Sequence, residues 1–219
     1  MILFDLSPTE NDPAYQALQV SNLNRQYDFL RAIVEASLST NRAYLSQTVI
    51  KAFNYHAIVC LHAGAGEYRP CQVKVGEYQP PDWIHVQALM DDFVNMINRA
   101  WENADPVTLA SFVLWRLNWI HPFVNGNGRT ARITAYYILC LKAGGMLPGT
   151  EPLPELLRRD RYKPDDPYVA ALKKVDASLE AGNFDLKPLH ELVSSLLDEQ
   201  LASAPAPNEP PPENGNGGQ

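Results

Sequence analysis

Along residues 13–38, apolar side chains recur at Leu23, Tyr27, Leu30, Ile33 and Val34, a spacing that lines them along one stripe of an α-helix. The polar run Ser39-Thr40-Asn41 ends it. Residues 42–62 repeat the pattern with Val49, Ile50, Phe53, Ile58 and Leu61 and stop at Ala63-Gly64-Ala65-Gly66. The period then changes. Between residues 67 and 79, Val73 and Val75 alternate with Gln72 and Lys74, which predicts a short pair of β-strands. Pro80-Pro81-Asp82 closes this hairpin and caps a helix to about residue 101, with Val86, Leu89, Phe93, Met96 and Ile97 on one side. Asp105-Pro106 opens the next helix, whose apolar positions are Leu109, Phe112, Val113, Leu117 and Ile120. Another begins at the glycines of residues 126–128, is apolar from Ile133 to Ala143 and stops at Gly144-Gly145. Residues 153–162 and 167–181 are predicted helical. A last helix over residues 189–201 turns Leu192, Val193, Leu196 and Leu197 inward. The pattern is that of an all-α domain with one small hairpin over residues 1–202, and no segment repeats another. From residue 203 onward a Pro-, Gly- and Asn-rich tail lacks apolar side chains and is expected to be disordered.

A chain of 219 residues has room for one domain with a full core. Its net charge of −7 and isoelectric point near 5.2 argue against nucleic acid as a partner, since such binders carry a basic stripe. No run of like charges suggests attraction to a membrane surface, and no apolar stretch reaches spanning length. The first residues lack the basic region and long apolar core of a signal peptide. Cys60, Cys71 and Cys140 are scattered, odd in number and without zinc spacing, which suits a reducing cytoplasm. An effector delivered into a host would share this composition, so the compartment stays open.

The candidate chemistry is concentrated in residues 121–132, His-Pro-Phe-Val-Asn-Gly-Asn-Gly-Arg-Thr-Ala-Arg. They join two helices, so the second presents its first amides and the positive end of its dipole to the loop. Gly126 and Gly128 permit positive φ and close approach of backbone to an anion, with Asn127 supporting the turn. Arg129 and Arg132 are three apart and share a face of the opening turn. Surface arginines also pair with carboxylates on neighbouring helices, but two of them beside a glycine turn favour phosphate. His121 at the rim is a candidate general base, because imidazole is the side chain best poised near neutral pH to take a proton from an attacking hydroxyl. The alternative for His121 is a helix-end histidine favoured by the negative end of its helix. Phe123 reads as a core anchor, and His56, His62, His85 and His190 as structural or surface residues.

These twelve residues resemble the signature of the Fic (Fido-fold) family, His-Pro-Phe-x-Asp/Glu-Gly-Asn-Gly-Arg-x-x-Arg, at every defined position but one. The stretch Gly66-Glu-Tyr-Arg-Pro-Cys-Gln-Val-Lys-Val-Gly resembles the family's flap, and the likeness covers roughly residues 13–200. It implies an all-α Fic/Fido-type helical domain with a small β-hairpin flap, acting as a protein adenylyltransferase that moves AMP from ATP to a hydroxyl of a target protein. On this resemblance His121 is the catalytic base and Gly126, Asn127, Gly128, Arg129 and Arg132 bind the nucleotide. The first Arg supports the phosphates and the second reaches the γ-phosphate. Gln72, Val73, Lys74 and Val75 of the flap would hold the target protein by strand addition, unless the hairpin merely covers the core.

The departure is Asn125, which stands where the family carries the carboxylate that holds Mg²⁺. An amide oxygen can still ligate Mg²⁺ but brings no charge, so the resemblance implies a weakly held metal at Asn125. Gly126-Asn127-Gly128 is intact, unlike the lysine-bearing variation of the Doc toxins. Family members are often silenced by a helix carrying Ser/Thr-x-x-x-Glu-Gly/Asn, and the nearest likeness is Ser195 with Glu199, followed by Gln200 in place of Gly or Asn. An antitoxin-like inhibitor and a homo-oligomer are further partners the family suggests. Two other functions fit the same residues: a catalytically weakened module that binds nucleotide or protein, and a Fic enzyme using a different NTP or a diphosphate donor.

Overall fold

The computed structural model describes residues 10–158, 163 and 165–205. The chain folds as eight α-helices among these residues: α1 Pro13–Ser39, α2 Gln47–Ile58, α3 Val86–Ala100, α4 Pro106–Ile120, α5 Asn127–Ala143, the single turn α6 Leu153–Leu156, α7 Pro167–Glu180 and α8 Lys187–Ala202. Three helices open with Asp-Pro, and the same chemistry starts each. Asp12, Asp105 and Asp166 accept hydrogen bonds from amides of the first turn, at 2.7 Å from Ala14, 2.9 Å from Val107 and 2.8 Å from Tyr168. The proline that follows each supplies a preset helical φ where no amide partner is needed.

The centre of the fold is α5. Every residue from Thr130 to Leu141 is buried, so this helix has no polar face, and α1, α2, α4 and α6 pack around it. A helix buried on all sides is a rigid platform, and its amino terminus carries the last residues of the 121–132 segment. Helix α4 runs into it through residues 121–126, while α7 and α8 pair with each other and brace α4. Phe53 of α2 meets Tyr137 of α5 edge-on with ring centroids 5.7 Å apart, one of the contacts that fix α2 beside the loop.

Three expectations are corrected. Helix α2 begins at Gln47 rather than residue 42, because Ser46 takes the cap, its hydroxyl accepting from the Val49 amide at 3.2 Å, and an apolar stripe does not register a cap. The strand pair of residues 67–79 is not a ladder. It is a tight turn in which Val75 and Tyr78 exchange two 2.9 Å main-chain hydrogen bonds around Gly76, plus a single bridge from Tyr68 to Phe123. Pro80 and Pro81 have no amide to donate, so pairing stops, and side chains take its place: Gln72 donates to the Pro80 carbonyl at 2.9 Å and Arg69 donates to the Pro81 carbonyl at 2.5 Å. The helix from Pro80 onward begins as a 3₁₀ turn, Trp83–His85, capped by Asp82. Of the helix expected over residues 153–162, the turn Leu153–Leu156 is present and residues 159–162 lie outside the described residues, as does the tail beyond residue 205. Among the described residues no helix is long and apolar enough to cross a membrane.

Candidate active site

His121 ends α4 in the left-handed region, with φ 52° and ψ 58°. A non-glycine residue holds that conformation at some cost, and the surroundings offset it. Its amide donates to Leu117 at 3.0 Å, while Arg69, a buried residue of the flap, donates from Nε to the His121 carbonyl at 2.9 Å and from its own amide to the Pro122 carbonyl at 2.8 Å. Arg69 thus clips two successive carbonyls just after the imidazole-bearing carbon. Nδ1 of His121 faces the Asn118 carbonyl at 3.4 Å, an arrangement that places the proton on Nδ1 and leaves the Nε2 lone pair as the basic site. Burial pushes the pKa down from 6.5 to about 4; the Asn118 carbonyl opposes this and the Arg69 charge adds to it. The imidazole is therefore neutral at ordinary pH.

The loop after His121 is held from both ends. Asn127 forms a two-point clamp on Phe123, its oxygen accepting from the Phe123 amide and its nitrogen donating to the Phe123 carbonyl, both at 2.9 Å. Asn127 therefore shapes the turn with its side chain and has only its backbone left for a ligand. Gly126 has φ 77°, and a Cβ there would lie 2.8 Å from a methyl of Ile58 and 3.0 Å from the Asn54 amide, so glycine is required both by conformation and by space. Asn54 of α2 donates to the Asn125 carbonyl at 2.9 Å and accepts from the Gly66 amide at 3.0 Å, tying the loop to α2.

Arg129 and Arg132 lie on the first turn of α5, as their spacing predicts. Arg129 donates to the Ala57 carbonyl at 3.0 Å and to the Asn125 side-chain oxygen at 3.3 Å. Arg132 is buried and folds back over Gly128, where an added Cβ would come within 3.2 Å of its guanidinium. Both arginines line one cleft of about 460 Å³ together with His121, Gly126, Asn127 and Gly128. One cleft thus combines a neutral imidazole, the amino terminus of a buried helix and two guanidiniums.

Known proteins resemble part of this chain. Residues 44–139 match the Fic/DOC family. That segment of the chain is a Fic/DOC domain. The protein adenylyltransferase Fic of Drosophila grimshawi is 39% identical to this Fic chain over 80 residues, which are 36% of the chain and 16% of that protein. The chain therefore matches only a small part of such a relative's length. A Fic-1 structure from C. elegans superposes with a TM-score of 0.66 at 22% identity, over 92% of this chain and 54% of that one, which shows a shared fold. A structure of an IbpAFic2 variant in complex with adenylylated Cdc42 gives a TM-score of 0.52 at 18% identity, over 86% and 58%.

The remaining expected site residues of this Fic domain divide sharply. Lys74 and Val75 of the flap line the cleft. Gln72 is occupied within the flap, accepting from the Trp83 amide at 3.2 Å as well as donating to Pro80, and Val73 is half-buried beside it. Ser195 and Glu199 are exposed on α8 and do not line the cleft. The buried residue there is Gln200, which accepts from the Leu153 amide at 2.7 Å and donates to the Tyr136 hydroxyl at 2.8 Å and the Pro148 carbonyl at 2.9 Å. Gln200 fixes the rotation of α8 and turns Ser195 and Glu199 outward.

Three participants escaped the sequence reading. Glu10, just ahead of α1, lines the cleft and approaches the His62 ring to 3.9 Å. His62 contacts the Tyr15 hydroxyl at 2.8 Å through Nε2 and the Asn125 side-chain nitrogen at 3.5 Å through Nδ1. Asp166, the cap of α7, closes the far side. None of them sits in a periodic pattern or motif. Asp166-Pro167 could have been read as a cap from its resemblance to Asp105-Pro106, but its place at the cleft could not.

Neither Asn125 nor Asp166 fits a resident Mg²⁺. The Asn125 side-chain oxygen already accepts from the Gly126 amide at 2.6 Å and from Arg129, and it is neutral. Asp166 is engaged with the Tyr168 and Val169 amides. No group of three His, Cys, Asp or Glu side chains among the described residues is placed to hold an ion.

Proposed function

We propose that this Fic domain is a protein adenylyltransferase, moving AMP from ATP to a hydroxyl side chain of a target protein. The observation that carries the reading is the neutral imidazole of His121, with its Nε2 lone pair, on the wall of the same cleft as the amino terminus of α5, Arg129 and Arg132. The triphosphate lies against the amides at Asn127 and Gly128, which have no carbonyl one turn back within the helix, and against both guanidiniums. The acceptor hydroxyl gives its proton to His121 as its oxygen attacks the α-phosphorus. The bond from that phosphorus to the bridging oxygen breaks, and pyrophosphate leaves. Positioning and charge supply most of the acceleration in such a transfer. The arginines meet the charge that develops on the departing phosphates.

The flap presents the target. The amides of Gln72, Val73 and Lys74 make no main-chain hydrogen bond to another described residue, so this edge is available to an extended segment. The Tyr, Ser or Thr of that segment is then held beside the cleft that Lys74 and Val75 enter. Incubating the pure protein with ATP labelled at the α-phosphate, alone and with a cell lysate, tests the reading. Label on protein that disappears in His121→Ala, with nucleotide affinity retained, supports it. Label arriving only from the γ-phosphate, or only from another nucleotide, overturns the adenylyl assignment.

A further inference from the structure

The misfit between this site and a resident metal has a positive counterpart in the contacts of Asn125. Both groups facing the oxygen end of its amide, the Gly126 N–H at 2.6 Å and the Arg129 guanidinium at 3.3 Å, are donors only. A flipped amide would set its NH₂ against two donors, so the orientation is fixed by chemistry. The nitrogen end agrees, since it faces His62 Nδ1 at 3.5 Å, and His62 can accept there while its Nε2–H meets the Tyr15 hydroxyl at 2.8 Å. The main chain of Asn125 is pinned as well, by Asn54 at 2.9 Å. Among its contacts, Arg129 donates from two nitrogens, to Ala57 and to Asn125.

Resting on the ATP reading above, we propose that Asn125 is the positioning residue for Arg129, and that the cleft takes the triphosphate on guanidinium charge without a divalent ion held by the protein. The choice of amide over carboxylate follows from the geometry. A carboxylate at this position would lie within ion-pair distance of Arg129 and neutralise the charge that a phosphate needs. The amide aims the same guanidinium and adds no opposing charge of its own. Any Mg²⁺ that arrives on the nucleotide is then part of the substrate and draws no charge from position 125.

The test is binding, measured by calorimetry with α,β-methylene-ATP, whose bridging carbon blocks transfer. The wild-type dissociation constant is expected to agree within about threefold between excess EDTA and excess Mg²⁺. Asn125→Asp is expected to lose about tenfold or more of the metal-free affinity and to regain it when Mg²⁺ is added. Asn125→Ala, which removes one tether of Arg129 without opposing its charge, is expected to weaken binding about equally in both conditions, and Arg129→Ala to weaken it in both by about tenfold. Thermal unfolding of each variant separates misfolding from lost binding. A wild-type affinity that rises tenfold or more on adding Mg²⁺ overturns the proposal, as does an Asn125→Asp protein with unchanged metal-free affinity. Absence of nucleotide binding in both conditions would instead overturn the ATP reading on which the proposal stands.

Discussion

Lowering the pH from 7.5 to 5 should unsettle this protein through His121, and the size of the effect follows from its burial. In the unfolded chain the imidazole titrates near 6.5, and in the folded chain burial holds it at about 4. Between those values the unfolded chain binds a proton that the folded one refuses, so stability is unaffected above 6.5, falls as the pH drops, and levels out below about 4. At pH 5 an unfolded-state histidine is almost wholly protonated while His121 is about nine-tenths neutral, and the linked loss is about 2 kcal/mol. His62 and His56 are also held down by burial and act in the same direction, so the effect must be isolated by difference. His121→Asn removes the titration and keeps a residue that tolerates positive φ. Urea unfolding at pH 7.5 and pH 5 should show the wild type losing about 2 kcal/mol more than the variant. The same displacement moves the acid limb of label transfer well below 6.5, and the His121 ring proton should titrate near 4 by NMR. A ring that titrates between 6 and 7, or a variant that loses as much stability as the wild type, would refute the argument.

Other residues give independent checks. Gly126→Ala should cost about 2–5 kcal/mol in chemical unfolding, the sum of a left-handed alanine and a Cβ driven into Ile58 and Asn54, and should abolish nucleotide binding. Arg69→Met should cost about 2–4 kcal/mol by the same measure, because three loop carbonyls lose a charged donor, and should slow transfer by releasing the His121 backbone. Glu199→Gly is expected to leave ATP affinity and self-labelling within about twofold, since α8 turns that side chain away from the cleft. A rise of about tenfold there would mean that Glu199 reaches Arg132.

Much of this molecule is legible in one dimension. The helices follow from apolar spacing, and Asp-Pro pairs mark where three of them start, because both signals depend on neighbours within a turn. The His-Pro-Phe to Arg-x-x-Arg dozen is equally local: a helix end, a glycine turn and a helix start place His121, Gly126, Arg129 and Arg132 on one cleft almost regardless of what surrounds them. What the tertiary structure alone decided is how each group is used. The hairpin pattern of residues 67–79 became a clipped turn because Arg69 found carbonyls of another segment and two prolines withheld their amides. Ser195 and Glu199 have helical spacing suited to a regulatory face, but Gln200 is bound by Tyr136, Pro148 and Leu153, and that rotation turns them outward. Glu10 and Asp166 came to the cleft, and His62 to the Asn125 side chain behind it, from three distant parts of the chain. Asn125 shows the division most clearly. Its sequence position announces a metal ligand, yet the direction of one amide oxygen depends on donors from Gly126 and Arg129 and on a histidine 63 residues away, contacts that exist only once α1, α2 and α5 are packed together.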